Sequence, residues 1–93
     1  MPTASARHIL VKTKEACDDL RKKIEGGEDF AALAKQHSLC PSGQKGGDLG
    51  SFGRGQMVPE FDSVVFTAPV KTVQGPVKTQ FGYHLIEVTN RTP

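Results

Sequence analysis

The sequence predicts an α+β fold built around a largely antiparallel sheet, on three grounds. Strand-like and helix-like runs are mixed along the chain without the regular βαβ alternation of a parallel sheet. The last quarter, VQGPVKTQFGYHLIEV, holds two strand-like runs joined by a turn around residues 80–82, the signature of an antiparallel pair. The helical runs are short and bounded by capping residues, glycine or proline, so they pack on a sheet rather than form a bundle of their own.

Residues 6–12, ARHILVK, read as a strand with Ile9 and Val11 on one face and His8 and Leu10 on the other. Thr13 is suited to N-cap a helix over 14–25. Within it Ala16, Leu20 and Ile24 recur every four residues as a narrow buried stripe, and Gly26-Gly27 ends it. A second helix over 29–37 carries Phe30, Leu33, Ala34 and His37 at the i, i+3, i+4, i+7 positions, which makes His37 a core or boundary residue. Residues 38–47 form a loop through Cys40-Pro41-Ser42-Gly43, with room for one helical turn. A short strand over 48–53 carries Leu49 and Phe52. Pro59 suits the first turn of a helix over 59–66, in which Phe61, Val64 and Val65 share a face, and Pro69 stops it. In the final strand Tyr83, Leu85 and Glu87 alternate with His84, Ile86 and Val88. The order strand, helix, helix, strand, helix, strand, strand contains no repeat and no low-complexity linker, and is expected to form one domain over 1–93.

Composition narrows the function. A chain of 93 residues is near the lower limit for a self-sufficient core, and with no tryptophan that core rests on aliphatics and a few of its five phenylalanines. The net charge of +2 is weak. Arg21, Lys22 and Lys23 point in different directions around a helix, which is a solvated face rather than a nucleic-acid footprint. Cys17 and Cys40 could form one disulfide, but residues 1–15 carry no apolar signal region, and no run approaches the ~20 apolar residues needed to cross a bilayer. A cytoplasmic protein with reduced thiols, away from membranes, is expected. The histidine and cysteine spacings fit no zinc pattern, and the glycine-rich run lacks the G-K-[ST] ending of a phosphate loop, so neither metal nor cofactor is expected.

The most informative stretch is GGDLGSFGRGQMVPEFDSVVF, residues 46–66. Five of its first ten residues are glycine, and Met57 and Phe61 follow around Pro59. Flexible backbone leading to two large apolar side chains suits a site for a greasy ligand. On their own, Leu49, Met57 and Phe61 read equally as core packing, and His8 and His84 as strand histidines of the interior. Cys40, between Leu39 and Pro41, reads as a structural or site-tuning thiol or, with a nearby imidazolium, as a nucleophile.

Together with HILVK (8–12) and TQFGYH (79–84), this stretch resembles the parvulin family of peptidyl-prolyl cis/trans isomerases, and the resemblance runs from His8 to Val88. It implies a four-stranded antiparallel sheet surrounded by helices, of the FKBP-like superfold, with the first and last strands adjacent at its centre. His8 and His84 would then hydrogen-bond across the sheet, with Thr79 orienting the pair and Cys40 at a position where the family carries Cys or Asp. GDLG, GQM and Phe61 fall where parvulins form a proline-ring pocket, which assigns substrate binding to Leu49, Met57 and Phe61, with Phe81 in the same region. The catalytic set implied is His8, Cys40, Thr79 and His84.

Phosphate-directed parvulins carry a long basic loop after the first strand, whereas here only Thr13 separates Lys12 from the helix. Unphosphorylated Xaa-Pro peptides and unfolded protein clients are therefore the expected partners, handled by a free-standing, monomeric, small bacterial-type parvulin. The competing readings are a non-catalytic module or chaperone gripping proline-containing segments, and a Cys40-dependent redox or hydrolytic enzyme. The sequence signatures of the large cysteine protease families are absent.

Overall fold

The computed structural model describes residues 3–92. Strand β1 spans Thr3–Val11, followed by helices α1 (Lys14–Glu25) and α2 (Phe30–His37). A 3-10 turn at Pro41–Lys45 leads into β2 (Asp48–Gly53), α3 (Pro59–Thr67), β3 (Val73–Thr79) and β4 (Gly82–Thr92). The four strands form one antiparallel sheet in the order β2-β1-β4-β3, so the first and last strands are its centre.

Both faces of the sheet are covered, and the period-2 alternation of β1 and β4 divides the core accordingly. Ala4 and Ala6 of β1 and Ile86 and Val88 of β4 pack under Phe61, Val65 and Phe66 of α3, with Phe52 of β2. On the opposite face Ile9, Val11 and Leu85 pack under Cys17 and Leu20 of α1 and Phe30, Leu33 and Ala34 of α2. Arg7 also lies on that face, its guanidinium 4.6 Å from the centre of the Phe30 ring and paired with Glu87 across the central ladder.

The helices are held by their caps. Thr13 Oγ1 accepts from Ala16 N at 3.1 Å and Asp29 Oδ2 from Ala32 N at 3.1 Å, each satisfying an otherwise orphaned donor. Pro59 opens α3, whose first turn carries Glu60 and Asp62, the sign of charge that its dipole favours. At the other end Arg91 of β4 donates to the carbonyls of Val65 and Ala68, fastening α3 to the sheet.

The predicted helix 14–25 and strand 48–53 match the observed elements. Strand β1, expected from residue 6, begins at Thr3 because Thr3–Ser5 pair with Ser51–Gly53. His37, expected at the core or its boundary, is exposed, since the last turn of α2 runs past the edge of the buried cluster. Cys17, rather than Ala16, is the fully buried residue of the α1 stripe. Burial raises its thiol pKa to about 11, with the Asp18 carboxylate pushing the same way and Arg21 opposing, so the thiol stays protonated and inert.

Candidate active site

The centre of the sheet builds the polar part of the site. In the β1–β4 ladder Leu10 faces His84 and His8 faces Ile86, so the two histidines are diagonal neighbours on the face that α3 covers. Their Nδ1 atoms are 2.9 Å apart, and the rings stack at 5.1 Å with only 15° between their planes. Nε2 of His84 lies 2.7 Å from Thr79 Oγ1, and Nε2 of His8 lies 3.2 Å from Ser42 Oγ. All four ring nitrogens therefore have protein partners.

Both rings are buried, and burial disfavours the charged imidazolium. It pushes the pKa of His8 down to about 4, with the neighbouring His84 adding to the effect, and it lowers that of His84 as well. At neutral pH the pair is uncharged. Neither imidazole has a nitrogen left over for a ligand, which leaves it no lone pair for use as a general base.

Above this floor lies a cleft of about 460 Å³, within the usual range for a small-ligand site. The structure brings His8, His84, Cys40, Leu49, Met57, Phe61 and Phe81 together around it. Phe61 stands edge-on to both imidazoles, with ring centres 5.6 and 5.9 Å away, the T-shaped geometry that aromatic rings prefer. It is only 2 % exposed, so it belongs to the core as well as to the wall. Phe81 is 61 % exposed at the rim, in the turn between β3 and β4.

Thr79 holds His84 through its hydroxyl, the contact expected of a residue that orients the pair. It does not border the cleft but sits behind His84, buried, where its hydroxyl also accepts from Phe81 N at 3.2 Å. From the end of β3 it bonds His84 and the backbone of the β3–β4 turn, so its contact with the cleft runs through the His84 ring.

Two loops close the cleft. The 38–47 loop lies along β1 just where β2 departs. Leu39 N donates to Leu10 O, Leu10 N to Ser38 Oγ, and His8 N to Gly47 O at 3.0 Å. Gly47 has φ +86°, and a Cβ there would stand 2.3 Å from the His8 carbonyl oxygen, so only glycine permits this approach. The second loop, 53–58, is tied by Gly53 N to Gln56 Oε1 at 2.8 Å and Gly55 N to Asp62 Oδ1 at 2.9 Å, which presents Met57 at the opening.

Five further residues border the cleft without a sequence signal that singled them out: Leu10, Leu39, Pro41, Gln56 and Val58. Ser42 carries no such signal either. Its hydroxyl meets His8 only because the loop packs along β1, and the CPSG run was the one local hint. No Lys, Arg, Asp or Glu among the described residues lines the cleft, and the Cys40 thiol makes no hydrogen bond among them. The arrangement is an apolar socket on an uncharged, internally bonded floor.

Comparison with known proteins is consistent with this geometry. Residues 2–92 match the family model of the PPIC-type PPIase domain. The foldase protein PrsA of Geobacillus sp. strain WCH70 is 48 % identical over 91 residues, covering 97 % of this chain and 33 % of that protein. The crystal structure of the peptidylprolyl isomerase PrsA from Bacillus anthracis superposes with a TM-score of 0.96 at 38 % identity, over 99 % of this chain and 43 % of that one. The solution structure of NmPin, the parvulin of Nitrosopumilus maritimus, gives 0.87 at 35 % identity, over 97 % of this chain and 98 % of its own. The chain thus spans about a third of the length of its PrsA relative and nearly all of NmPin.

Proposed function

We propose that this chain, which belongs to the PPIC-type (parvulin) family of peptidyl-prolyl cis/trans isomerases, accelerates rotation about Xaa-Pro bonds in peptides and unfolded proteins without forming a covalent bond. The observation that carries the reading is the apolar cleft over the His8–His84 pair, whose polar atoms are directed at one another rather than at a guest.

The physics suits the task. A planar Xaa-Pro amide owes its barrier of ~18–20 kcal/mol to resonance, which places partial negative charge on the carbonyl oxygen. Water stabilises that charge-separated planar form. In the twisted state resonance is lost, so moving the amide into an apolar cleft penalises the ground state more than the transition state. Met57, Leu49 and Phe61 hold the pyrrolidine ring, and Phe61 keeps the stacked imidazoles rigid beneath it. The Cys40 thiol is the weak, adaptable donor on the floor. A preference of about 5.5 kcal/mol for the twisted amide amounts to roughly ten-thousandfold acceleration.

Unphosphorylated substrates are favoured on this reading. Two residues, Lys12 and Thr13, join β1 to α1, and among the described residues no cation lines the cleft to clasp a phosphate bidentately. The foldase relatives support unfolded clients. Catalytic amounts of the protein should speed the slow, proline-limited phase of refolding of an unrelated protein, and should isomerise Glu-Pro or Ala-Pro peptides at least as well as phosphoserine-Pro peptides. An unchanged refolding phase would refute the activity, and a large phosphopeptide preference would refute the specificity.

A further inference from the structure

We propose that the side-chain amide of Gln56 is a substrate-binding group that donates a hydrogen bond to the prolyl carbonyl, the backbone oxygen on the C-terminal side of the rotating bond. This deepens the isomerase reading and rests on it for the nature of the guest. Four polar side chains border the cleft among the described residues: His8, His84, Cys40 and Gln56. Both nitrogens of each histidine are taken by protein partners, and a thiol is a weak donor. Only Gln56 brings a strong side-chain donor that is still free.

Gln56 is held in one orientation. Its Oε1 accepts from Gly53 N at 2.8 Å, and its own backbone N–H returns a 3.4 Å bond to Gly53 O. A backbone N–H can meet only the oxygen of the amide, so the NH2 group is turned away from Gly53, and it has no partner among the described residues. Its N–H donors are left for solvent or a guest, on a side chain whose ordering is already complete before binding.

The prolyl carbonyl is the acceptor that fits. Gln56 precedes Met57 in the chain, and both border the cleft in which Met57 helps to hold the pyrrolidine ring. That ring carries one carbonyl through its nitrogen, the Xaa carbonyl, and another through its Cα, the prolyl carbonyl. A strong donor on the Xaa oxygen would stabilise the planar, charge-separated amide and slow rotation. A donor on the prolyl oxygen makes the same bond in the planar and twisted states. It fixes the half of the peptide that stays still while the other half turns, and it replaces the water this oxygen loses on entering an apolar cleft.

The experiment compares acetyl-Ala-Leu-prolinamide with acetyl-Ala-Leu-pyrrolidide, which keeps the ring and lacks the prolyl carbonyl, by NMR exchange spectroscopy. The proteins are the parent and Gln56→Glu, with backbone amide spectra verifying that each is folded. Glutamate keeps an oxygen for Gly53 N, so the loop stays tied, but it puts an acceptor where the NH2 stood. Gln56→Glu should raise KM for the prolinamide about fivefold with kcat within about twofold, the mark of binding that is uniform along the reaction, and should leave KM for the pyrrolidide within about twofold. In the parent, the prolinamide should move one Gln56 Nε2–H resonance downfield and the pyrrolidide should not. An unchanged KM, a KM loss shared by both substrates, a lowered kcat at unchanged KM, or Nε2–H resonances that ignore the prolinamide would overturn the proposal. The titration reads binding alone and needs no variant, so a chain that binds proline without turning it would still show the shift, which separates failure of the isomerase reading from failure of this one.

Discussion

His8 and His84 meet nitrogen to nitrogen, Nδ1 to Nδ1 at 2.9 Å, and only one proton lies between them. The contact makes the two rings unequal partners, one donor and one acceptor, though they have the same chemistry. It also makes a second charge in the pair costly, because two Nδ1–H groups would then point at each other in a buried site.

This sets a pH dependence. The unfolded chain takes up protons on its histidines below about 6.5, whereas folded His8 does so only near 4. Between those values the unfolded state binds more protons, so stability rises with pH and levels off above about 6.5. The contribution of His8 across that window is about 3 kcal/mol. Urea unfolding at pH 4.5 and 7 should show a smaller difference for His8→Gln than for the parent, and equal differences would mean that His8 is not held neutral. For the same reason kcat of the parent should stay level from pH 8 to pH 6, without the inflection of a free histidine.

Phe61 serves both fold and site. Its replacement by alanine should cost about 3–5 kcal/mol, much of the stability available to so small a domain. Phe61→Leu keeps most of the volume and is the better probe. It should remain folded by circular dichroism and raise KM several-fold for a Xaa-Pro peptide. An unchanged KM would remove Phe61 from the substrate wall.

Gly47 tests how the loop is seated. Gly47→Ala places a methyl group against the His8 carbonyl at a positive φ, and should cost at least about 2 kcal/mol in denaturant unfolding. Gly50→Ala is the control: φ is +73° but no atom of the described residues lies within 4 Å of the added carbon, so about 1 kcal/mol of backbone strain is expected. Equal costs would show that the loop does not press on β1.

Cys40 separates isomerisation from thiol chemistry. Cys40→Asp should fold and keep kcat within about tenfold, while a bulky alkylating reagent on the parent thiol should block activity by filling the cleft. Mass spectrometry during turnover should find no substrate adduct. A trapped adduct, or total loss of activity in Cys40→Asp, would favour nucleophilic catalysis.

Much of the fold was legible because its signals are local. Thr13 and Gly26 bracket α1, Pro59 opens α3, and the alternation around His84 sorts β4 between the two faces. The start of β1 was not, because Thr3-Ala4-Ser5 has no side chain large and apolar enough to mark a strand, though Ala4 is buried. The site divides in the same way. Residues in dense motifs, such as Met57, Phe61 and His84, stood out. Leu39, Gln56 and Val58 reach the cleft, and Ser42 reaches His8, only through the packing of two loops on the sheet.

The central claim is that the cleft favours a twisted prolyl amide over a planar one. NMR exchange spectroscopy of a short Xaa-Pro peptide, with protein at a hundredth of the peptide concentration, tests it without a coupled protease. Cis-to-trans exchange cross-peaks should appear at mixing times of a second or less, against tens to hundreds of seconds for the free peptide, and should weaken in Phe61→Leu. Peptide resonances that shift on binding while exchange stays at the uncatalysed rate would contradict the account and leave a module that holds proline without turning it.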